Sequence, residues 1–217
     1  MNKQILINGI RMQMLPERAL YVPEQQLLVI ADWHLGKLQH FRSEGLFTPA
    51  MEIYSELSRL EVLIDKLQAQ RVIFLGDLFH SRWNSDWDVF KEFANQLAAK
   101  GLLLTLTKGN HDILEEKHFS NLSMEICDQF TLGETIIFSH QPIKDAPDSW
   151  FQVVGHVHPG CRVDLGARQT LNLPCFFLER QRLTLPAFGI YTGLMRIARC
   201  AEHRLFPIVH DSVLELR

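Results

Sequence analysis

The chain has 217 residues, of which 47% are hydrophobic and 22% are charged, and its formal net charge is −3 at pH 7. This length and composition are those of an ordinary globular protein with room for one large core. The negative charge excludes a protein that coats nucleic acid through a broad Lys/Arg surface, but it permits local phosphate recognition. We therefore expect a single domain that spans residues 1–217.

Neither a membrane segment nor a disulfide framework is indicated. The apolar stretches end well short of the roughly 20 residues that cross a bilayer, and the polar start MNKQ does not resemble a signal peptide. The four cysteines show no CxxC spacing, which argues against both a zinc knuckle and paired disulfides. We expect a cytoplasmic protein with free thiols and no membrane partner.

Short strands and a turn are predicted at the N-terminus. Residues 5–7 are apolar and end at Asn8-Gly9, a strong tight-turn dipeptide, and residues 19–22 form a second short strand. They lead to the first long apolar run, 27–31, which we interpret as a buried strand. A polar loop follows this strand.

Two helices are predicted in the first half of the chain. An amphipathic helix over about 49–69 follows from the helical spacing of its apolar residues, with Thr48 as the N-cap. A second helix begins after Ser85 and stops at Lys100-Gly101. The first helix is expected to pack against the core and to carry no chemistry.

Apolar runs alternate with these helices at 71–75 and 102–106, so this part of the chain predicts a parallel α/β half. From residue 131 onward, helical periodicity gives way to short strands. They are predicted at 135–139, 151–155, 175–179, 182–186 and near 206–215. We therefore expect two sheets within the one domain.

Polar side chains follow five apolar runs at the points where the runs end. The run 71–75 continues into Gly76-Asp77, which delivers a carboxylate to the edge where ligands of open α/β sheets gather. A carboxylate has two oxygens, so Asp77 can bridge two cations. The other four runs end in Asp32-Trp33-His34, Gly109-Asn110-His111-Asp112, His140 and Gly155-His156-Val157-His158. We expect all five ends to converge on one two-metal site.

The chemistry of these side chains indicates a dinuclear hydrolase. Six of the ten histidines lie at or just beyond the ends of apolar strands: His34, His80, His111, His140, His156 and His158. Imidazole and carboxylate ligands without thiolates suit Mn, Fe, Zn or Ni. In a dinuclear centre, two ions roughly 3.5–4 Å apart share a hydroxide, lower its pKa, and clamp the attacking and leaving oxygens of an in-line phosphoryl displacement.

Simpler explanations of individual residues stay open at this point. An Asp after a strand is most often a turn or helix cap, which would account for Asp32 alone. Asp112 could form a capping box with Glu115, although that would not explain the Asn-His pair before it. Trp83 and Trp87 could form an aromatic wall for a substrate base, or they could pack their loop onto the body.

The ordered motifs resemble those of the calcineurin-like metallophosphoesterase superfamily. The series Asp-x-His, Gly-Asp, Gly-Asn-His-Asp, His and Gly-His-x-His covers residues 27 to 158. This resemblance implies an α/β fold of the α+β type, a four-layer α-β-β-α sandwich with two mixed β-sheets. The stretches 31–37, 75–81 and 185–193 are also similar to the bacterial branch called ligase-associated DNA damage response endonuclease (PdeM). A core strand with a glycine turn explains 185–193 as well as a substrate contact does.

The resemblance further implies a role for each site residue. The first metal would be bound by Asp32, His34 and His158, the second by Asn110, His140 and His156, and both by Asp77. His111 would protonate or stabilise the leaving oxygen, with Asp112 orienting its ring. Where this chain has His80, the superfamily usually has Asn or Asp. We assign His80, Arg82 and Lys37 to the surroundings of the metals or to the substrate.

The branch resemblance implies a Mn-dependent phosphodiesterase, a DNA endonuclease linked to repair that works beside a DNA ligase and a helicase-like protein. The same motifs allow a small-molecule phosphodiesterase, a nucleotide pyrophosphatase or a phosphomonoesterase, because two metals hold any phosphate in line. A noncatalytic scaffold of the same fold would be expected to lose ligands. None of the seven is missing here.

Overall fold

The first seven strands form one mixed sheet in the order in which they occur along the chain. The computed structural model describes residues 1–47, 53–80, 83–112, 116–119, 121–166 and 169–216. The strands are β1 (Lys3–Ile7), β2 (Ile10–Leu15), β3 (Ala19–Val22), β4 (Leu27–Ala31), β5 (Arg71–Leu75), β6 (Leu103–Thr107) and β7 (Glu125–Cys127). Neighbours from β1 to β4 are antiparallel, whereas those from β4 to β7 are parallel. The predicted parallel half is confirmed.

A tight turn joins β1 to β2 at the predicted Asn8-Gly9 dipeptide. Both residues have positive φ, 49° for Asn8 and 79° for Gly9, as the type I′ turn requires. The pair Ile7 and Ile10 closes the hairpin directly on this turn. The predicted N-terminal strands are confirmed.

The described helices are α1 (Lys37–Ser43), α2 (Ile53–Leu67), α3 (Ser85–Ala99) and α4 (Glu116–Phe119). The prediction of a polar loop after β4 is wrong, because α1 lies there. None of its residues is buried, so it lacks the apolar period by which a helix is recognised in a sequence. α2 lies within the predicted helix, and the proposed N-cap Thr48 lies outside the described residues.

Both ends of α3 follow from local chemistry. Its N-cap is Asn84, whose side chain accepts a hydrogen bond of 3.0 Å from the backbone N–H of Asp86. Asn and Ser are comparable N-caps, which is why the sequence alone placed the start one residue late. Lys100 is the C-cap, and Gly101 follows it with a φ of 91°, so the predicted stop is confirmed.

Alternate side chains of the central strands face two different cores. Ile30 of β4 and Phe74 of β5 pack in a cluster with the apolar faces of α2 and α3. Their neighbours Val29 and Ile73 pack in a second cluster with residues of the other sheet. Because strand side chains alternate with period two, the first sheet is buried on both faces.

The second sheet contains nine strands and supplies the other side of the sandwich. They are β8 (Gln129–Leu132), β9 (Ile136–Ser139), β10 (Phe151–Val154), β11 (Pro159–Gly166), β12 (Gln169–Leu178), β13 (Arg182–Thr184), β14 (Met195–Arg196), β15 (Arg204–Val209) and β16 (Ser212–Val213). β9, β10 and β13 are parallel neighbours, whereas β11, β12 and β15 pair antiparallel. The predicted class, an α/β sandwich on two mixed sheets, is confirmed.

Sequence analysis missed β2, β7, β8, β11 and β14 and started β12 too late. β7, β8 and β14 have no fully buried residue, so they lack the apolar alternation that reveals a strand.

On the far face of the second sheet, Cys161 and Cys175 pack with Leu205 in a small cluster. All four cysteines are free thiols, as predicted. None of the described helices has the length and apolar character needed to cross a bilayer.

The segment after β13 crosses from the second sheet to the end of β4. Ala187 forms a parallel bridge with Ala31, and the Phe188 N–H donates to the Ala31 carbonyl at 2.7 Å. Arg59 donates to the Phe188 carbonyl at 2.9 Å. At Gly189 a Cβ atom would lie 2.2 Å from the Trp33 carbonyl oxygen, so only glycine fits this approach.

We predict that Gly189→Ala lowers the free energy of unfolding by about 2 kcal/mol or more, because the new methyl group would collide with backbone. Urea unfolding followed by circular dichroism measures the change. Gly193→Ala is the matched control: its Cβ would meet nothing within 4 Å, and the expected change is within about 0.5 kcal/mol. Equal effects of the two substitutions would contradict this packing.

Candidate metal centre

The five predicted strand ends meet at one edge of the sandwich. Two groups of three side chains lie there, and within each group the candidate ligand atoms are all within 4.8 Å of one another. The first group is Asp32, His34 and His158, and the second is Asp77, His140 and His156. The side chains come from the loops after β4, β5, β9 and β10, so the two parallel regions of the two sheets supply both groups.

The first group is built on the loop that follows β4. His34 Nε2 lies 3.2 Å from His158 Nε2, and His158 Nε2 lies 3.4 Å from Asp32 Oδ1. The backbone N–H of His156 donates to both Asp32 oxygens, at 3.0 and 2.8 Å. Asp32 therefore ties the loop after β10 to the loop after β4.

The second group surrounds the ring of His140. His140 Nε2 lies 3.1 Å from His156 Nδ1, 3.0 Å from Asn110 Oδ1 and 3.5 Å from Asp77 Oδ1. The other ring nitrogen, Nδ1, lies 3.0 Å from the carbonyl oxygen of Leu75. A carbonyl oxygen only accepts, so the neutral ring carries its proton on Nδ1 and presents a lone pair at Nε2.

Asp77 belongs to the second group and also faces the first, with one oxygen toward a histidine of each group. Its Oδ2 is 3.9 Å from His34 Nε2, and its Oδ1 is 3.5 Å from His140 Nε2. The backbone N–H of His111 donates to Oδ1 at 2.8 Å, which fixes the carboxylate. A Cβ at Gly109 would lie 2.4 Å from Asp77 Oδ1, so the loop after β6 reaches this position only with glycine.

Backbone strain is concentrated at these residues. Five of the seven predicted ligands have left-handed φ angles, from 46° to 70°: Asp32, His34, Asp77, His156 and His158. This conformation costs a non-glycine residue on the order of 1 kcal/mol. Strain of this kind clusters at functional sites, where the surrounding structure holds side chains in position.

The donor set fits two divalent ions. The lone pair of His140 Nε2 faces those of Asn110 Oδ1 and Asp77 Oδ1, and a cation placed among the three atoms would replace their mutual repulsion by attraction. Burial lowers the pKa of His34 to about 2, which keeps its imidazole in the neutral form that binds metals. The set contains oxygen and imidazole donors and no thiolate, as a hard to borderline metal requires.

The centre is open on one side. Asp32, Asp77, His34 and His140 are buried, whereas Asn110 and His156 are exposed. The side chain of His111 is also accessible, and its Nε2 lies 4.0 Å from Asp77 Oδ2. A ligand can therefore approach from the side of the loops after β6 and β10.

Asp112 contacts the backbone of two of the site loops. Its Oδ1 accepts from Leu78 N at 2.9 Å and from Phe79 N at 3.4 Å, and its Oδ2 accepts from Gly109 N at 2.9 Å. Burial raises the pKa of this carboxyl group. The carboxylate thus ties the loop after β5 to the loop after β6, and a direct contact with the ring of His111 stays a prediction.

His80 lies beside the centre, within a group of imidazole rings. Its ring stacks on that of His111 at 5.9 Å and lies 5.5 Å from that of His34. His40 of α1 contacts it from the other side, at 5.7 Å. Sequence analysis missed His40 because it missed α1. Arg82 lies outside the described residues.

The structure decides between the two explanations given above for Trp87 only. Trp87 is buried, and its Nε1 donates to the His118 carbonyl at 3.1 Å, so it packs α3 onto the body. Trp83 is exposed and stacks on the His118 ring at 6.0 Å.

The segment 185–193 has a buried part and an exposed part. Leu185 to Phe188 are buried, and the residues after Gly189 reach the surface.

The model of the calcineurin-like phosphoesterase family matches residues 26–185. The chain belongs to this family. The superfamily resemblance seen in the motifs is confirmed, and family membership makes the protein a metal-dependent phosphoesterase.

The solved structures that are similar to this chain include a nuclease and a phosphoesterase. The nuclease MPE from Pseudomonas putida aligns over 100% of both chains with a TM-score of 0.79 and 26% identity, in agreement with a bacterial nuclease branch. The phosphoesterase Yfce from E. coli aligns over 88% of this chain and 97% of its own, with a TM-score of 0.47 and 17% identity. Comparison with curated proteins gives no match.

We predict that Asp77→Asn removes both bound metal and activity, because an amide offers a single neutral oxygen to two cations. Elemental analysis should show a loss of metal, and the initial rate on a chromogenic phosphodiester should fall on the order of 100-fold or more. Asp65→Asn, at an exposed position of α2, is the control and should change neither quantity. An undiminished rate in Asp77→Asn would contradict the bridging position.

Proposed function

We propose that this protein is a two-metal phosphodiesterase that hydrolyses nucleic acid, with a role in DNA repair. The observation that carries the proposal is the position of Asp77, which presents one oxygen to each group of candidate ligands. The similarity to the nuclease MPE over the whole of both chains supports a phosphodiester of nucleic acid as the substrate.

In this proposal the ions are held by Asp32, His34 and His158 on one side and by Asn110, His140 and His156 on the other, with Asp77 shared. The metal is Mn in the leading version, with Fe, Zn or Ni as alternatives. When bound, the ions supply Lewis-acid chemistry: they lower the pKa of water and neutralise charge on the phosphate. The single domain 1–217 contains all of these residues.

His111 delivers the proton to the leaving oxygen. Its backbone is held by Asp77, while its ring is accessible and stacks on His80. A side chain that is fixed at its backbone and open at its ring suits proton transfer to a bound ester. Asp112 supports this geometry through the loop backbone, as a positioning residue.

A second candidate keeps the site and changes the substrate to a small phosphodiester, a nucleotide pyrophosphate or a phosphomonoester. The net charge of −3 favours it, because extended nucleic acid is attracted by a positive surface.

Partnership with a DNA ligase and a helicase-like protein rests on the branch resemblance alone. A noncatalytic scaffold would require loss of ligands, and metal-free protein after expression with added Mn would favour it.

His111→Ala tests the role of the general acid. We expect the metal content to stay at the wild-type level while kcat for a phosphodiester falls roughly 100-fold or more, because proton transfer is lost and the ligands are retained. Elemental analysis and steady-state kinetics measure the two quantities. His210→Ala, at an exposed position far along the chain, controls for loss of an imidazole, and parallel loss of metal and kcat in His111→Ala would show that the residue is a ligand.

Substrate class is tested with one Mn-loaded preparation. We expect initial rates on single-stranded DNA to exceed those on a cyclic nucleotide and on a chromogenic monoester at equal concentration of phosphate ester. Hydrolysis of the small esters without cleavage of DNA would replace the leading proposal by the second candidate.

A further inference from the structure

A cysteine and a histidine form a hydrogen-bonded pair on the second sheet, outside the metal centre. Cys200 Sγ lies 2.9 Å from His203 Nδ1, and His203 directly precedes β15. Cys200 is exposed, whereas Cys161 and Cys175 are buried and Cys127 is half-buried. Of the four thiols, that of Cys200 is therefore the one that a molecule in solution reaches most readily.

The carbonyl oxygen of Ala198 fixes the tautomer of His203. His203 Nε2 lies 2.8 Å from this oxygen, which only accepts, so the neutral ring carries its proton on Nε2. Nδ1 then presents a lone pair, to which the Cys200 thiol donates. Phe177 packs against the ring edge to face, with centroids 4.9 Å apart. A nucleophile, a base within hydrogen-bond reach and a third group that orients the base together form an activated nucleophile.

The pair lacks the further ligands of a metal site. Among the described residues, the groups of three or more candidate ligands are the two at the metal centre. A structural zinc site uses four protein ligands and a catalytic one uses three. Cys200 and His203 are therefore suited to covalent chemistry of the thiol rather than to metal binding.

His203 also lines a cavity of about 520 Å³, a volume in the range of small-molecule sites. The wall includes Gln152, Arg180 and Glu202. Gln152 lies near the start of β10, whereas the candidate ligand His156 follows the end of this strand. Four residues of extended chain span roughly 13 Å, so the cavity is separate from the metal centre.

The cavity wall offers one free charge of each sign. Arg180 and Glu202 are exposed, and neither forms an ion pair with another described residue. Arg182 and Glu179 also lie on the wall, but they pair with each other. A molecule that carries both a carboxylate and an ammonium group would complement the two free charges. The α-amino acid group has this combination.

We propose that Cys200 and His203 form a site of thiol–disulfide exchange for a small zwitterionic disulfide of the amino-acid class, held in this cavity. His203 Nδ1 accepts the thiol proton, and Cys200 Sγ forms a bond to the nearer sulfur of the ligand. The S–S bond of the ligand breaks, and the leaving sulfur takes the proton from the imidazolium. One disulfide is consumed and one is formed, so the step needs no further oxidant. The product is a mixed disulfide at Cys200.

L-Cystine in buffer with EDTA tests the reaction independently of the metal centre and of the proposed phosphodiesterase function. Intact-protein mass spectrometry measures the rate of addition of one half-cystine, and peptide mapping locates it. We expect addition at Cys200 in the folded protein, with a rate constant about tenfold higher than for the same thiol in urea. Cys200→Ser should remove the modification. Addition at another cysteine instead, or equal rate constants for Cys200 in the folded and unfolded protein, would overturn the proposal.

His203→Phe tests the base, because phenylalanine keeps a ring against Phe177 but has no lone pair. We expect the rate constant to fall about tenfold with an unchanged circular dichroism spectrum. The loss should be larger at about pH 7 than at about pH 9, where an ordinary thiol is already ionised without a base. His210→Phe, at an exposed position after β15, is the control and should react as the wild type does. An unchanged rate constant in His203→Phe would sink the proposal.

The charges of the ligand are tested with three disulfides: cystine, 3,3′-dithiodipropionate, which has only carboxylates, and cystamine, which has only ammonium groups. Each rate constant is divided by that of the unfolded protein, and we expect the ratio to be highest for cystine. Arg180→Ala should lower the ratio about threefold for cystine and dithiodipropionate but not for cystamine. Arg11→Ala, at an exposed position of β2 in the other sheet, should change none of the ratios. Equal ratios for the three disulfides would overturn the assignment of a zwitterionic ligand to the cavity.

Discussion

The hydrogen bond from the His111 backbone to Asp77 is the contact on which the rest of the centre depends. It fixes the buried carboxylate of Asp77, whose backbone is left-handed, between two groups of imidazoles. An unpaired buried carboxylate is costly, and this one is compensated by an oriented N–H on one side and, in our proposal, by two cations on the others. Gly109 makes the contact possible, since any side chain there would collide with Asp77.

The two sheets bring the ligands to this carboxylate from opposite sides. β4, β5 and β6 lie side by side in one sheet, and β9 and β10 lie side by side in the other. Packing of alternate apolar residues between the sheets brings their edges together. Hydrogen bonds between loops then set the final geometry, notably those from His156 to Asp32 and from His140 to the Leu75 carbonyl. The position of each ligand thus depends on contacts with the other sheet.

The candidate metal centre has a buried side and an accessible side. The buried residues Asp32, Asp77 and His140 form the floor, and Asn110, His111 and His156 form an accessible side. The segment after β13 contributes to both parts of the structure. Phe188 belongs to the core, while Tyr191 lines a small cavity beside His34. The same segment therefore joins the two sheets and reaches the edge of the metal centre.

Much of this was accessible from the sequence, because its signals are local. Apolar runs that end in Asp or His predicted the strand ends, the Asn8-Gly9 turn and Gly101 marked boundaries, and the order of motifs indicated the family. Strands without buried residues and the exposed helix α1 were missed, since they leave no apolar pattern. His40 was missed with α1, and the backbone contacts of Asp112 could not be foreseen. Only the tertiary structure decided which oxygen of Asp77 faces which group and that a cavity lies beside His34, because both depend on distances between segments that are far apart in the chain.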